Sequence, residues 1–134
     1  MEKVVVDTDV VIDFLRTNAG LLLHIMKLQK DGLLELFFSS ITIMELYAGE
    51  MTKSELEMII DLIRNFKVVP FDQQLAQFTG EKKRGERLQI RTSDFIIGAT
   101  SIYLEARLVT RNNKHYKGIR GLKYFDLTTF PQSN

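Results

Sequence analysis

Apolar residues fall along this chain in two alternating rhythms. Val4-Val5-Val6 is an unbroken β-branched run, as expected for a strand covered on both faces. Asp7-Thr8-Asp9 ends it. Residues 10–16 then predict a short helix with Val10, Val11, Phe14 and Leu15 on its buried side. Leu21 to Lys30 reads as a second amphipathic helix. Leu22, Ile25, Met26 and Leu28 face inward there, Lys27 and Lys30 face outward, and Asp31-Gly32 breaks it. Residues 34–38 predict the next strand and residues 42–49 the next helix.

The clearest helix spans residues 55–65, where Leu56, Ile59, Ile60 and Ile63 recur at helical spacing. Residues 67–69 form a short strand stopped by Pro70. Residues 73–84 are helical but polar, anchored by Leu75 and Phe78. Residues 95–105 form a largely apolar helix, with Gly98 and Ala99 small enough to sit closely on a sheet. Residues 108–110 and 122–125 are the last predicted strands. Strands alternating with helices along the whole length imply an α/β fold, a three-layer α/β/α sandwich with a central, mainly parallel sheet. We expect one domain over residues 1–130 and a frayed tail over 131–134.

Composition narrows the chemistry. The chain has 134 residues, 45% hydrophobic and 26% charged, which suits one soluble domain with its own core. It has no cysteine, which excludes disulfides, thiolate metal sites and a cysteine nucleophile. The apolar run near the N-terminus is too short for a signal peptide, and no run approaches a membrane span. A cytoplasmic location without membrane attachment is therefore expected. Net charge is +1, so any nucleic-acid contact must come from a local patch.

The position of the acids is more informative. Asp7 ends the first strand, Glu45 is expected in the first turn of the helix after the second, and Asp94 opens the apolar helix. In open α/β sheets, sites form beyond the carboxyl ends of the strands, so these three can converge. Crowded carboxylates either take a proton or accept a cation, and a hard ion such as Mg²⁺ prefers oxygen ligands. Such a site suits phosphodiester hydrolysis. Each acid also has a simpler explanation. Asp7 can close an Asx turn, Thr42-x-x-Glu45 is a formal capping box, and Asp94 complements a helix dipole. Taken singly, those explanations are the stronger.

In its motifs the chain resembles the PIN-domain family, and within it the VapC-type toxins of prokaryotic toxin–antitoxin pairs. Val4-Val5-Val6-Asp7-Thr8-Asp9 is similar to that family's opening block, and Ile41-Thr42-Ile43-Met44-Glu45-Leu46 to its second. Asp94-Phe95-Ile96-Ile97-Gly98-Ala99 is similar to the third, and Leu108-Val109-Thr110-Arg111-Asn112 to the fourth. The four occur in order across nearly the whole chain. The resemblance implies a metal-dependent endoribonuclease, with Mg²⁺ or Mn²⁺ at Asp7, Glu45 and Asp94. It implies an RNA substrate, a cognate antitoxin and a homodimer. The fourth block departs from an all-acid site, because Asn112 and His115 stand where other members carry aspartate. Asn112 can still ligate or orient a water. Asp9 either joins the site or stabilises the turn, while Thr8 and Thr110 supply supporting hydroxyls. With this pattern in view, the joint placement of the acids outweighs their separate explanations.

Two basic groups flank the acids: Lys82, Lys83, Arg84, Arg87 and Arg91, then Arg111, Lys114 and Lys117. Either is a solvated face or a seat for RNA phosphates. His24 has no expected role, and a structural role for His115 is favoured over a catalytic one. Residues 21–26 or 56–63 are the expected antitoxin dock, if they are not plain core. Two rivals remain. Asp7-Thr8-Asp9-Val10-Val11 also matches the nucleophile loop of haloacid-dehalogenase-like phosphatases, with Asp7 as nucleophile. That fold wants a late pair of acids, whereas Asp126 is the only aspartate after Asp94. The other rival is a PIN-like module that binds RNA or protein without turnover.

Overall fold

The computed structural model describes residues 1–129; the tail expected to fray lies outside the described residues. The elements run β1 (Glu2–Val6), α1 (Thr8–Thr17), α2 (Leu21–Lys30), β2 (Leu34–Ser39), α3 (Ser40–Ala48), α4 (Lys53–Asn65), β3 (Lys67–Val69), α5 (Gln73–Lys83), α6 (Thr92–Tyr103) and β4 (Arg107–Val109). Two 3₁₀ turns follow, Asn113–Tyr116 and Leu127–Thr129. The four strands form one sheet in the order β3-β2-β1-β4, parallel throughout.

The valine run explains the layering. Val4, Val5 and Val6 are each 0% exposed, because β1 is central and covered on both faces. Strand alternation sends Val4 and Val6 into one core with Val11, Leu22 and Ile59 from α1, α2 and α4. Val5 points the other way, into a second core with Phe95, Ile97 and Ala99 of α6. Each such side chain contributes ~1.5–3 kcal/mol on burial. The chain order reverses at β1, which has β2 on one side and β4 on the other. The crevice beyond the carboxyl ends of β1 and β4 is therefore where a site belongs.

Several expectations are corrected. The strand over 122–125 shrinks to one parallel bridge between Leu108 and Tyr124. Leu108 donates its N–H to Lys123 and accepts from Phe125, and β4 itself is only three residues long. The helix read from Leu56, Ile59, Ile60 and Ile63 is present as α4, with Ile59 and Leu62 as its buried positions. Leu56 and Ile60 are left half-buried because the helix packs through Met58, Ile63 and Phe66 as well. Gly98 does not serve the sheet. A Cβ there would lie 3.0 Å from Ile119 and 3.5 Å from Tyr116, so its bareness admits the segment after β4.

The helix after β2 starts at Ser40, capped by the Ser39 hydroxyl, which accepts from the Ile41 N–H. Thr42 is fully buried inside that helix, so Thr42-x-x-Glu45 is no capping box and Glu45 lies in the second turn. The capping box is Thr52 with Glu55, at the start of α4, satisfied in both directions.

Candidate active site

Asp7 stands at the switch point. Its backbone N–H extends the β1–β4 ladder by donating to Val109 (2.9 Å), and its carbonyl accepts from the first turn of α1. It occupies the helix N-cap position, but its side chain makes no capping bond. The Asx-turn reading is therefore set aside. The carboxylate, 4% exposed, instead receives two hydroxyls: Thr110 donates to Oδ2 (2.8 Å) and Tyr116 to Oδ1 (2.8 Å). Both donors lie after β4, more than a hundred residues away in the chain.

Burial pushes the Asp7 carboxyl above its ordinary value. The hydroxyls of Thr110 and Tyr116 pull it down, and the charges of Asp9 and Asp94 push it up again. Tyr116 is displaced upward by its own burial and by Asp7, so it keeps its proton and remains a donor. Tyr116 was visible in the sequence only as the aromatic after His115. A buried aromatic usually means core, and only the fold aims its hydroxyl at Asp7.

The other acids reach this edge from separate elements. Thr8, in the first turn of α1, donates to Glu45 Oε1 (2.8 Å) and shares a hydrogen bond with the buried Thr42 hydroxyl (2.9 Å). One threonine pair thus ties α1 to α3 and orients Glu45 from its second helical turn. Asp94, 5% exposed, lies in the first turn of α6. Arg91 binds both of its oxygens, Nε to Oδ2 at 3.1 Å and Nη2 to Oδ1 at 3.3 Å. Asp9 accepts from the Asn112 amide (3.0 Å), and the Asn112 backbone N–H donates to Thr110 (3.0 Å). Asp9 therefore belongs to this edge as well as to α1.

An open groove of about 430 Å³ is lined by Asp9, Gln89, Ile90, Arg91, Asp94 and the exposed His115. A neighbouring groove of about 360 Å³ carries Asp9, Asp13, Arg16, Arg111 and Asn112, with Arg111 paired to Asp13 at 3.1 Å. Of the first basic group, Arg91 reaches the acids, whereas Lys83 lies over the Phe95 ring at 4.9 Å. His24 is exposed on α2.

Among the described residues, no three histidine, aspartate or glutamate side chains are grouped so as to hold one metal ion between them. The donor set nonetheless fits a hard, hydrated cation. Asp7 is buried, its two partners are neutral hydroxyls, and Asp9 and Asp94 add repulsion. A Mg²⁺-type ion keeps several waters, so one or two direct carboxylates suffice to hold it.

The family model of the PIN domain matches residues 4–120. The chain belongs to the PIN-domain family. Solved structures repeat this fold. DNA-bound VapBC from Salmonella typhimurium aligns with TM-score 0.78 and 23% identity, over 94% of this chain and 98% of that one. VapBC2 from Rickettsia felis, bound to a promoter DNA fragment, aligns with TM-score 0.76 and 22% identity, over 92% and 97%. A toxin–antitoxin complex from Klebsiella pneumoniae aligns with TM-score 0.64 and 24% identity, over 89% and 94%. No curated protein matches the chain significantly. Membership of this PIN family removes the support for the phosphatase rival. Asp7 is held by Thr110 and Tyr116 in this fold, and Asp9 by Asn112.

Proposed function

We propose that this chain is a metal-dependent endoribonuclease, the toxin of a VapC-type toxin–antitoxin pair. The observation that carries the reading is Asp7. A desolvated carboxylate, oriented by two hydroxyls and repelled by further acids, sits where an α/β fold places its site. Asp7, Glu45 and Asp94 would hold Mg²⁺ or Mn²⁺, partly through waters. When bound, the ion supplies charge that polarises a phosphoryl oxygen and acidifies a water.

The chain's own groups do the positioning. Thr110 and Tyr116 fix Asp7, Thr8 fixes Glu45, and Asn112 fixes Asp9. Asn112 thus takes a supporting place in the fourth block rather than a fourth carboxylate. His115 faces the groove beside Asp9 and Asp94, where a ribose or phosphate oxygen would lie. Arg111 lines the adjoining groove and would meet a flanking RNA phosphate.

The partner is a cognate antitoxin. A mainly apolar groove of about 500 Å³ lies between α1, α2 and α4, with Phe14, Met26, Met58, Leu62 and Phe66 in its lining. Met26 and Met58 are half-buried and available to a docking helix, whereas Leu22, Ile25 and Ile59 are core. Homodimerisation belongs to the proposal, with exposed Met44 and Tyr47 on α3 as surface for it to cover. So do a cytoplasmic location and a single domain over residues 1–130. Among the described residues, no helix is long and apolar enough to cross a membrane.

The deciding experiment is cleavage of RNA in Mg²⁺ or Mn²⁺ by the wild-type chain, Asp7→Asn and Asp94→Asn. Cuts by the wild type should vanish on chelation, and both variants should be nearly inactive while folded. Full activity in both variants overturns the assignment. RNA retained by the wild type without metal-dependent cuts would instead establish the non-catalytic binding module.

A further inference from the structure

Arg91 breaks a local rule. It holds the N-cap position of α6 and makes no side-chain cap there. Helix N-termini favour Ser, Thr, Asp or Asn at that position, and their partial positive charge disfavours a cation. Residues 86–91, which lead into it, form neither helix nor strand. What holds the guanidinium is the acid cluster. Its fork meets both oxygens of Asp94, a carboxylate whose side chain is 8% exposed, while its own side chain is 70% exposed. The charges of Glu45 and Asp9 add to Asp94 in pushing the guanidinium above its ordinary value. One exposed cation therefore senses three acids from three elements, and it lines the groove beside them.

We propose that Arg91 is a built-in placeholder for the divalent cation at Asp94, so that the guanidinium and the metal exclude each other there. This rests on the cation site proposed above. Arg91 engages both Asp94 oxygens, so an ion approaching that carboxylate meets a guanidinium already seated on it. A divalent ion and a guanidinium on one carboxylate repel each other, so the two compete for it. In the absence of the ion, Arg91 relieves the charge of a buried acid and keeps the cluster folded. In its presence, the long exposed side chain swings into the groove at little cost. The device lowers metal affinity in exchange for a stable metal-free fold.

The magnitude is bounded by the exposure of Arg91. A pair with one largely exposed partner is worth up to ~1 kcal/mol, which corresponds to about a fivefold change in affinity. Calorimetric titration with Mn²⁺ alone, at low ionic strength, reads it without any substrate. Arg91→Gln should bind Mn²⁺ about fivefold more tightly than wild type. Arg91→Lys, which keeps the charge but loses the fork, should fall between them. Asp94→Asn should lose most of the binding. In a ¹⁵N spectrum of the wild type, Mg²⁺ should shift the Arg91 Nε–H resonance as the pair opens. If Arg91→Gln binds Mn²⁺ no more tightly than wild type while Asp94→Asn loses binding, the placeholder is overturned and the cation site stands. An Arg91 Nε–H resonance unmoved at saturating Mg²⁺ also overturns it. Failure of both wild type and Arg91→Gln to bind Mn²⁺ overturns the cation site itself.

Discussion

Replacing Tyr116 by phenylalanine removes one oxygen atom and keeps the ring that fills the space beside Gly98 and Ile119. No cavity of consequence opens, so the effect isolates the hydroxyl's 2.8 Å bond to Asp7 Oδ1. A hydrogen bond to a charged acceptor contributes about 1.5–3 kcal/mol, and one to a neutral acceptor about 0.5–1.5 kcal/mol. Asp7 has Thr110 as its other donor and little access to water, so most of the loss should be felt. Tyr116→Phe should therefore cost about 2 kcal/mol at neutral pH and about 1 kcal/mol where Asp7 is protonated.

The direction with pH follows from linkage. The folded carboxyl lies above its unfolded value of 3.8, so its protonated form favours folding. That stability is complete below the unfolded value and is lost as pH rises through the raised folded value. Since the Tyr116 bond is one of the influences pulling Asp7 down, its removal raises the folded value further and deepens the loss towards neutral pH. Urea unfolding of wild type and Tyr116→Phe, at acid and at neutral pH, measures both quantities. In an Asp7→Asn background the same substitution should cost less, giving a coupling of about 1 kcal/mol. An equal loss at both pH values, together with no coupling to Asp7, would refute the claim that the hydroxyl serves the ionised carboxylate.

Three further outcomes are expected. Asp7→Asn should be inactive yet at least as stable as wild type in metal-free buffer near neutral pH, because it removes a desolvated charge; a lower melting temperature would contradict the burial argument. Gly98→Val should destabilise the fold by about 1–3 kcal/mol and depress cleavage, since its added methyls meet Ile119 and Tyr116; unchanged denaturant midpoint and activity would show that this contact has slack. Thr52→Ala should cost about 1 kcal/mol by dismantling the α4 capping box, with cleavage unaffected once folded, as denaturation and assay together would show.

Fold class and element order were legible in the sequence because they depend on local chemistry, whereas the three acids stood out only through the family resemblance. β-branched runs, helical spacing and breakers report on a few neighbouring residues at a time, and Val4-Val5-Val6 needs no distant partner to read as a buried strand. The helix bounds moved by a few residues, and the capping box moved from Thr42 to Thr52, because a cap depends on where the backbone actually turns. What the sequence could not decide is what each acid touches. Asp7 meets Thr110 and Tyr116 across more than a hundred residues, and Thr8 meets Thr42 and Glu45 across more than thirty. Those distances are closed by the parallel pairing of β1 with β4 and β2, which no local pattern encodes. The strand expected over 122–125 failed for the same reason, since a strand exists only to the extent that a neighbour pairs with it, and β4 offers it Leu108 alone. Local propensity thus determined which elements form; burial and strand order determined which side chains meet at this edge and pushed the Asp7 carboxyl above its ordinary value.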